Sequence, residues 1–297
     1  MHVSLSFILL FLVWGVCGVQ GATVFRICAF NIQSFGEGKA SKTKVMHTIV
    51  RIIARCDVSL LQEVRDHRRK AFPQLLAQLN NEIWLYNKAL VMLCLHRSFQ
   101  MQVTTVVFAH FVSKQSLVNR DVCFSVFLPL TACSALKDFV LIPLHTSPNN
   151  TTKELDAVVD VFNDIRKKWK TENVIFLGDF NADCGYLAKK NRKNVRLITD
   201  PAFIWLINDK NDTTVRKSTD CAYDRIVVHG EKVARAIVPL SAKPFNFKKE
   251  FRLSEDQALE VSDHYPVEVL LKASASRQQQ VSLSLLLILL ALTFNCS

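Results

Sequence analysis

Between residues 24 and 272 the sequence has no internal repeat, no Gly-Ser linker and no break in composition. A chain of separate modules is thereby excluded, and one sheet-rich domain with helices outside it is expected. No Cys/His spacing of the kind that binds zinc occurs, although nine cysteines and eight histidines are present. The apolar C-terminal run, Val281 to Phe294, falls short of the ~20 residues that a membrane-spanning helix needs. Acids are scarce. Asp and Glu number 26 against 37 Lys and Arg, a formal charge of +11 that favours polyanionic partners such as nucleic acid. Residues 83–120 hold no Asp or Glu at all.

Both ends have the pattern of processing signals. Ser6 to Trp14 is an apolar run followed by the small residues Gly18, Gly21 and Ala22, so residues 1–21 are expected to be a secretory signal peptide. Residues 273–297 combine small residues from Ala273 to Ser276, a short polar spacer and an apolar tail, the layout of a GPI-anchor signal. A plainly secreted or tail-anchored protein is the alternative. Residues 22–272 then form the mature domain, reaching the cell surface, the extracellular space or the endoplasmic reticulum membrane. Cysteines in that compartment are oxidised, but seven remain in the domain and an odd number forbids full pairing. Asn149, Asn150 and Asn211 each begin an Asn-X-Thr frame and are expected glycosylation sites.

Along the domain, apolar strands deliver polar side chains at their ends. Val24 to Phe30 leads to Asn31. An amphipathic helix over 42–55 follows, and the strand 57–61 leads to Gln62-Glu63. Phe72 to Leu79 is expected to be helical, and strands are expected over 103–111, 123–128 and 139–144, the last presenting His145. The helix 153–169 returns the chain to Val174-Ile175-Phe176-Leu177-Gly178-Asp179-Phe180-Asn181. Asp224 opens a strand. Ser254 caps an acidic helix, and Asp263-His264 precede the closing strand. Asn31, Glu63, Asp179, Asn181, Asp224 and Asp263 offer oxygen ligands suited to a hard cation such as Mg²⁺ or Ca²⁺. His145 and His264 supply proton-transfer groups. Phosphoester cleavage needs this combination: a cation against the phosphate charge, a base for water, and an acid for the leaving oxygen.

Taken in order, Ala29-Phe30-Asn31, Leu61-Gln62-Glu63-Val64, Pro143-Leu144-His145-Thr146, Gly178-Asp179-Phe180-Asn181-Ala182-Asp183, Tyr223-Asp224-Arg225 and Ser262-Asp263-His264-Tyr265-Pro266-Val267-Glu268 resemble the motif series of the deoxyribonuclease I family. With its apolar tail the chain is most similar to that family's membrane-anchored, deoxyribonuclease-I-like 1 branch. The resemblance implies an α/β fold, a four-layer αββα sandwich of two central mixed sheets flanked by helices. It implies Ca²⁺/Mg²⁺-dependent endonucleolysis of DNA. Asn31, Glu63 and Asp263 would hold a metal, and Asp179 and Asn181 would bind the scissile phosphate or a second ion. Asp224 would orient His264, with His145 as the other acid/base histidine. Arg65 would meet DNA, with Arg120 as a second contact, and Cys184 would pair with Cys221. The implied partners are double-stranded DNA, the membrane through the anchor and, as for some relatives, actin; the protein would be monomeric.

One departure lowers the expected activity. Family members carry a Tyr-x-Glu-x-Tyr strand before the Leu-His-Thr motif, and its glutamate pairs with the first histidine. Here Leu90 is matched to that position. Loss of an acid/base group costs about 10² to 10⁴ in rate. Either the enzyme is impaired, or residues 83–120 derive from a wrongly assigned exon. A non-catalytic DNA- or protein-binding surface protein and a phosphodiesterase of lipid or inositol headgroups remain as alternatives.

Overall fold

The computed structural model describes residues 24–83, 90–96, 111–112, 121–122, 125–129 and 138–272, with side chains described over 24–80 and 139–272. The expected signal peptide, the C-terminal tail, Arg120, and the side chains of Leu90, Cys94, Cys123 and Cys133 lie outside these limits. Among the described residues no helix is long and apolar enough to cross a membrane.

The chain begins with β1 (Val24–Phe35), the short helix α1 (Glu37–Ala40), α2 (Thr43–Ile53), β2 (Val58–Val64), α3 (Ala71–Ile83) and β3 (Leu90–His96). It continues with β4 (Phe111–Val112), β5 (Asp121–Val122), β6 (Ser125–Pro129), β7 (Asp138–Pro143), α4 (Thr151–Trp169) and β8 (Val174–Asp179). A 3-10 turn over Lys189–Asn194 leads to α5 (Arg196–Thr199), β9 (Ile204–Trp205), β10 (Asp224–His229), α6 (Glu231–Ala236), β11 (Lys243–Pro244), α7 (Phe247–Glu250), α8 (Glu255–Val261) and β12 (Val267–Lys272). Among the described residues these strands form two six-stranded sheets, in the orders β11-β12-β1-β2-β3-β5 and β4-β6-β7-β8-β10-β9. Both are mixed. β1 runs parallel to β2 and antiparallel to β12, while β8 runs parallel to β7 and antiparallel to β10.

The two-residue period of each strand builds the layers. In β8, Ile175 and Leu177 meet Ile27, Ala29, Leu60 and Val267 of the first sheet in the central core. Val174 and Phe176 face the other way, onto Leu155, Val158 and Phe162 of α4. On the outside of the first sheet, α2 buries Met46, Ile49 and Ile53 against Phe30, Leu61 and Phe247. Each fully buried side chain of this size contributes about 1.5–3 kcal/mol. This is the expected four-layer αββα sandwich. Among the described residues two disulfides clamp it: Cys184–Cys221, as the resemblance implied, and Cys28–Cys56, whose partners the sequence left open.

The strand ends differ from expectation. β1 does not stop at Asn31 but continues to Phe35 through an irregular stretch in which Gln33 and Ser34 adopt positive φ. β2 extends past Leu61 to Val64, with Glu63 at φ +58°. Both polar residues therefore sit inside kinked strand ends, where the backbone turns a side chain out of the pleat. Ser254 forms a full capping box with Gln257 at the start of α8. Leu90 corrects the motif alignment. Its backbone pairs with Val58, at the end of β2 remote from Glu63, whereas Leu95 pairs with Val64. Because β3 lies parallel to β2, the position beside Glu63 falls at the end of β3.

Candidate active site

At one edge of the central core, the ends of β1, β2, β7 and β8 and the starts of β10 and β12 converge. β8 and β10 are antiparallel with Asp179 directly opposite Asp224, so one strand's last residue meets the other's first. Gly178 makes the approach possible at φ +131°. A Cβ there would overlap the Leu144 carbonyl and come within 2.6 Å of Gln62 Nε2. Gln62 is fully buried. Its Nε2 donates to the Leu144 carbonyl (2.9 Å), and its Oε1 accepts from the Asp179 amide (2.9 Å). A single carboxamide thus ties β2 of one sheet to β7 and β8 of the other.

The functional atoms meet on Asp179 Oδ2. Asn31 Nδ2 donates to it and to Glu63 Oε1, each at 3.1 Å. Nε2 of His145 lies 3.5 Å from Asp179 Oδ2, and Nε2 of His264 lies 3.8 Å from it. His145 Nε2 is also 4.0 Å from Glu63 Oε1, and His264 Nε2 is 3.9 Å from Asp263 Oδ1. Behind His264, Nδ1 pairs with Asp224 Oδ2 at 2.7 Å. Burial disfavours the charged imidazole of His264, but the carboxylates of Asp224 and Asp179 outweigh it and hold its pKa up, at about 10. Burial pushes the Asp224 carboxyl up as well, against the pull of His264.

Other residues expected at the site are present in different roles. Asn181, at φ +47°, directs Nδ2 to the Thr146 carbonyl (2.9 Å), which leaves Oδ1 as its free functional atom. Arg65 is half exposed beside Glu63, with 3.7 Å between its guanidinium and Oε2. Asp183, quoted within the Gly-Asp-Phe-Asn motif, is structural: it accepts from the Ala222 amide and pairs with Arg192. Asn149 and Asn150 are exposed, and Asn211 is half-buried.

Several residues without an assigned role hold the arrangement together. Ser262 Oγ donates to the Asn31 carbonyl (2.7 Å) and accepts from the His264 amide (3.1 Å). Thr146 Oγ1 donates to the Phe180 carbonyl. Lys39, whose position in the sequence carries no motif, donates to three backbone carbonyls; burial lowers its pKa to about 8 against the pull of Asp263 and Glu63.

The donor set fits a hard cation. Asp179, Asp224 and His264 bring ligand-type atoms within 4.8 Å of one another, but Asp224 and His264 are engaged with each other. The oxygens left for a cation are those of Asp263 and of Glu63 and Asp179, the last two bridged by Asn31, a set suited to Mg²⁺ or Ca²⁺ and poor for zinc.

Residues 28–264 match the Endonuclease/Exonuclease/phosphatase family. Deoxyribonuclease gamma of Rattus norvegicus is 42% identical over 282 residues, covering 87% of this chain and 88% of that protein. Deoxyribonuclease-1-like 1 of Homo sapiens is 41% identical over 277 residues, covering 86% and 87%. Among solved structures, the human Nocturnin catalytic domain superposes with a TM-score of 0.53 at 16% identity, covering 84% of this chain and 95% of that one. A D. rerio TDP2 complexed with single-strand DNA product gives 0.51 at 15%, covering 83% and 98%. These two likenesses show the fold alone.

Proposed function

Because the chain belongs to the Endonuclease/Exonuclease/phosphatase family and shares about 40% of its sequence with named deoxyribonucleases, we propose that it is a divalent-metal-dependent endonuclease of double-stranded DNA. The observation that carries this reading is the convergence of two imidazole Nε2 atoms on one buried carboxylate oxygen, at 3.5 and 3.8 Å. Such a pair can take a proton from water on one side of a phosphate and give one to the leaving oxygen on the other. His145 and His264 divide these two tasks. Asp224 fixes the ring of His264 so that Nε2 faces the reacting centre, and its charge stabilises the imidazolium when a proton is held there. A Mg²⁺ or Ca²⁺ ion at Glu63, Asp179 and Asp263 would supply neutralisation of the phosphate charge. Asn31 bonds Glu63 and Asp179 together, and Asn181 offers a carbonyl oxygen at the same edge. Arg65, exposed beside this edge, would bind the DNA backbone.

The same proposal takes the protein through the secretory pathway to the cell surface by a GPI anchor, as a glycosylated monomer, with actin as a further partner to test. The two disulfides support an oxidising compartment. The deciding experiment is nicking of supercoiled plasmid by purified protein in Mg²⁺ and Ca²⁺, with sphingomyelin and inositol phosphates assayed alongside. Activity on DNA that a chelator abolishes is expected. Cleavage of only the headgroup substrates would replace DNA as the substrate, and activity unaffected by chelator would remove the metal from the account.

A further inference from the structure

Lys39 lies outside every motif of the site, yet it joins the two backbone segments that carry the site's opposite walls. Its Nζ donates to the carbonyls of Ile32 (2.9 Å), Gln33 (2.6 Å) and Val261 (2.8 Å), which uses all three hydrogens of an ammonium. Ile32 and Gln33 directly follow Asn31. The chain there is strained, with φ +48° at Gln33 and +55° at Ser34. Ser34 then donates to Glu63 Oε2 from both its amide (3.1 Å) and its hydroxyl (3.3 Å). On the other side, Val261 ends α8 and is followed by Ser262, Asp263 and His264. The Ser262 hydroxyl closes the loop onto the Asn31 carbonyl.

We infer that Lys39 is a positioning residue for the metal site: by holding Ile32, Gln33 and Val261 on one nitrogen, it sets the separation between the Asn31–Glu63 wall and the Asp263 wall. This rests on the proposed divalent-metal-dependent nuclease activity. The shape of the group matters as much as its charge. Three carbonyls converging on one tetrahedral nitrogen suit an ammonium, and the planar fork of arginine cannot satisfy all three.

Charge and position predict opposite signs. Removing a cation from beside Glu63 and Asp263 would by Coulomb's law alone tighten the binding of a divalent ion. Losing the clamp would loosen it, and outer partners of metal ligands are worth about 10- to 100-fold in affinity. The test compares wild type, Lys39→Met and Lys39→Arg, with Mg²⁺ affinity from the ion-induced rise in Tm and Mn²⁺ affinity from the EPR signal of free ion. Plasmid nicking is then followed against Mg²⁺ concentration. Both variants are expected to fold by circular dichroism, to bind each ion about 10-fold or more weaker, and to recover kcat to within about threefold of wild type at saturating ion. Unchanged or tighter binding overturns the inference. Full rescue by Lys39→Arg also overturns it, because a planar guanidinium cannot gather the three carbonyls on one nitrogen and the clamp would then not be what sets the separation. Variants that fail to fold assign Lys39 to the fold and overturn it equally. Failure of the underlying reading is distinct: wild type itself would bind neither ion, or would cut DNA without one.

Discussion

Asp224→Asn keeps the size of a fully buried side chain and removes one charge, so it isolates what the carboxylate does for His264. Asp224 Oδ2 lies 2.7 Å from Nδ1, and with Asp179 it raises the imidazole pKa from 6.5 to about 10. A displacement of that size is worth roughly 5 kcal/mol at ~1.4 kcal/mol per pH unit. Part of it is offset by the cost of burying Asp224, whose carboxyl is pushed up in turn. The asparagine amide would donate to Nδ1 and leave a neutral ring with its one proton on Nε2, facing Asp179, without the charge that sustains the imidazolium. Nicking of supercoiled plasmid at saturating Mg²⁺ should fall by about 10² to 10⁴. In the metal-free protein, the imidazole of His264 should titrate by NMR well below its wild-type value. The double variant Asp224→Asn/His264→Ala should be no slower than His264→Ala alone, because the two residues act as a unit. Activity within threefold of wild type, or losses in the double variant that multiply, would refute the pairing.

The raised pKa of His264 also governs stability. The folded state holds a proton that the unfolded state releases above about pH 6.5, so the metal-free protein should lose Tm as pH rises from there towards 10. Asp224→Asn should flatten that slope in a thermal melt series. Gly178→Ala places a methyl against the Leu144 carbonyl and Gln62 at a positive φ, and should cost about 2 kcal/mol or more in urea unfolding while slowing nicking. A stable and fully active variant would contradict the tight approach of the two sheets. Replacing Cys28 and Cys56 together by alanine should cost about 3–4 kcal/mol by loop-closure entropy over a separation of 28 residues, with activity kept at low temperature. Arg65→Ala should raise KM for DNA and lower the salt dependence of binding by about one counterion, with Tm unchanged.

What was legible in the sequence is what local patterning controls. The run Val174 to Leu177 is apolar throughout because β8 is covered on both faces, and the break at Gly178 marked where Asp179 would emerge. Helices α2 and α4 followed from their apolar faces, and the Ser254 cap from its place before an acidic stretch. The pairing of Asp224 with Asp179 was not legible, because it depends on the register of two strands 45 positions apart in the chain, set by antiparallel packing. Nor were Lys39 and Gln62. Both work through backbone carbonyls and amides, which leave no mark on the identity of the residues they hold. Gln62 had one available signal, its place beside Glu63 in a recurrent motif. The kinks at Gln33, Ser34 and Glu63 were invisible because none is a glycine. The Leu90 assignment failed for a related reason: motif spacing alone does not show which end of a strand faces the site.

The most direct test of the site as one phosphodiesterase centre is the rate of plasmid nicking at saturating Mg²⁺ by wild type and His264→Ala. The account predicts measurable nicking by wild type and a loss of at least about 10²-fold in the variant, with its fold and Mg²⁺ affinity retained. Equal rates in the two proteins would contradict it.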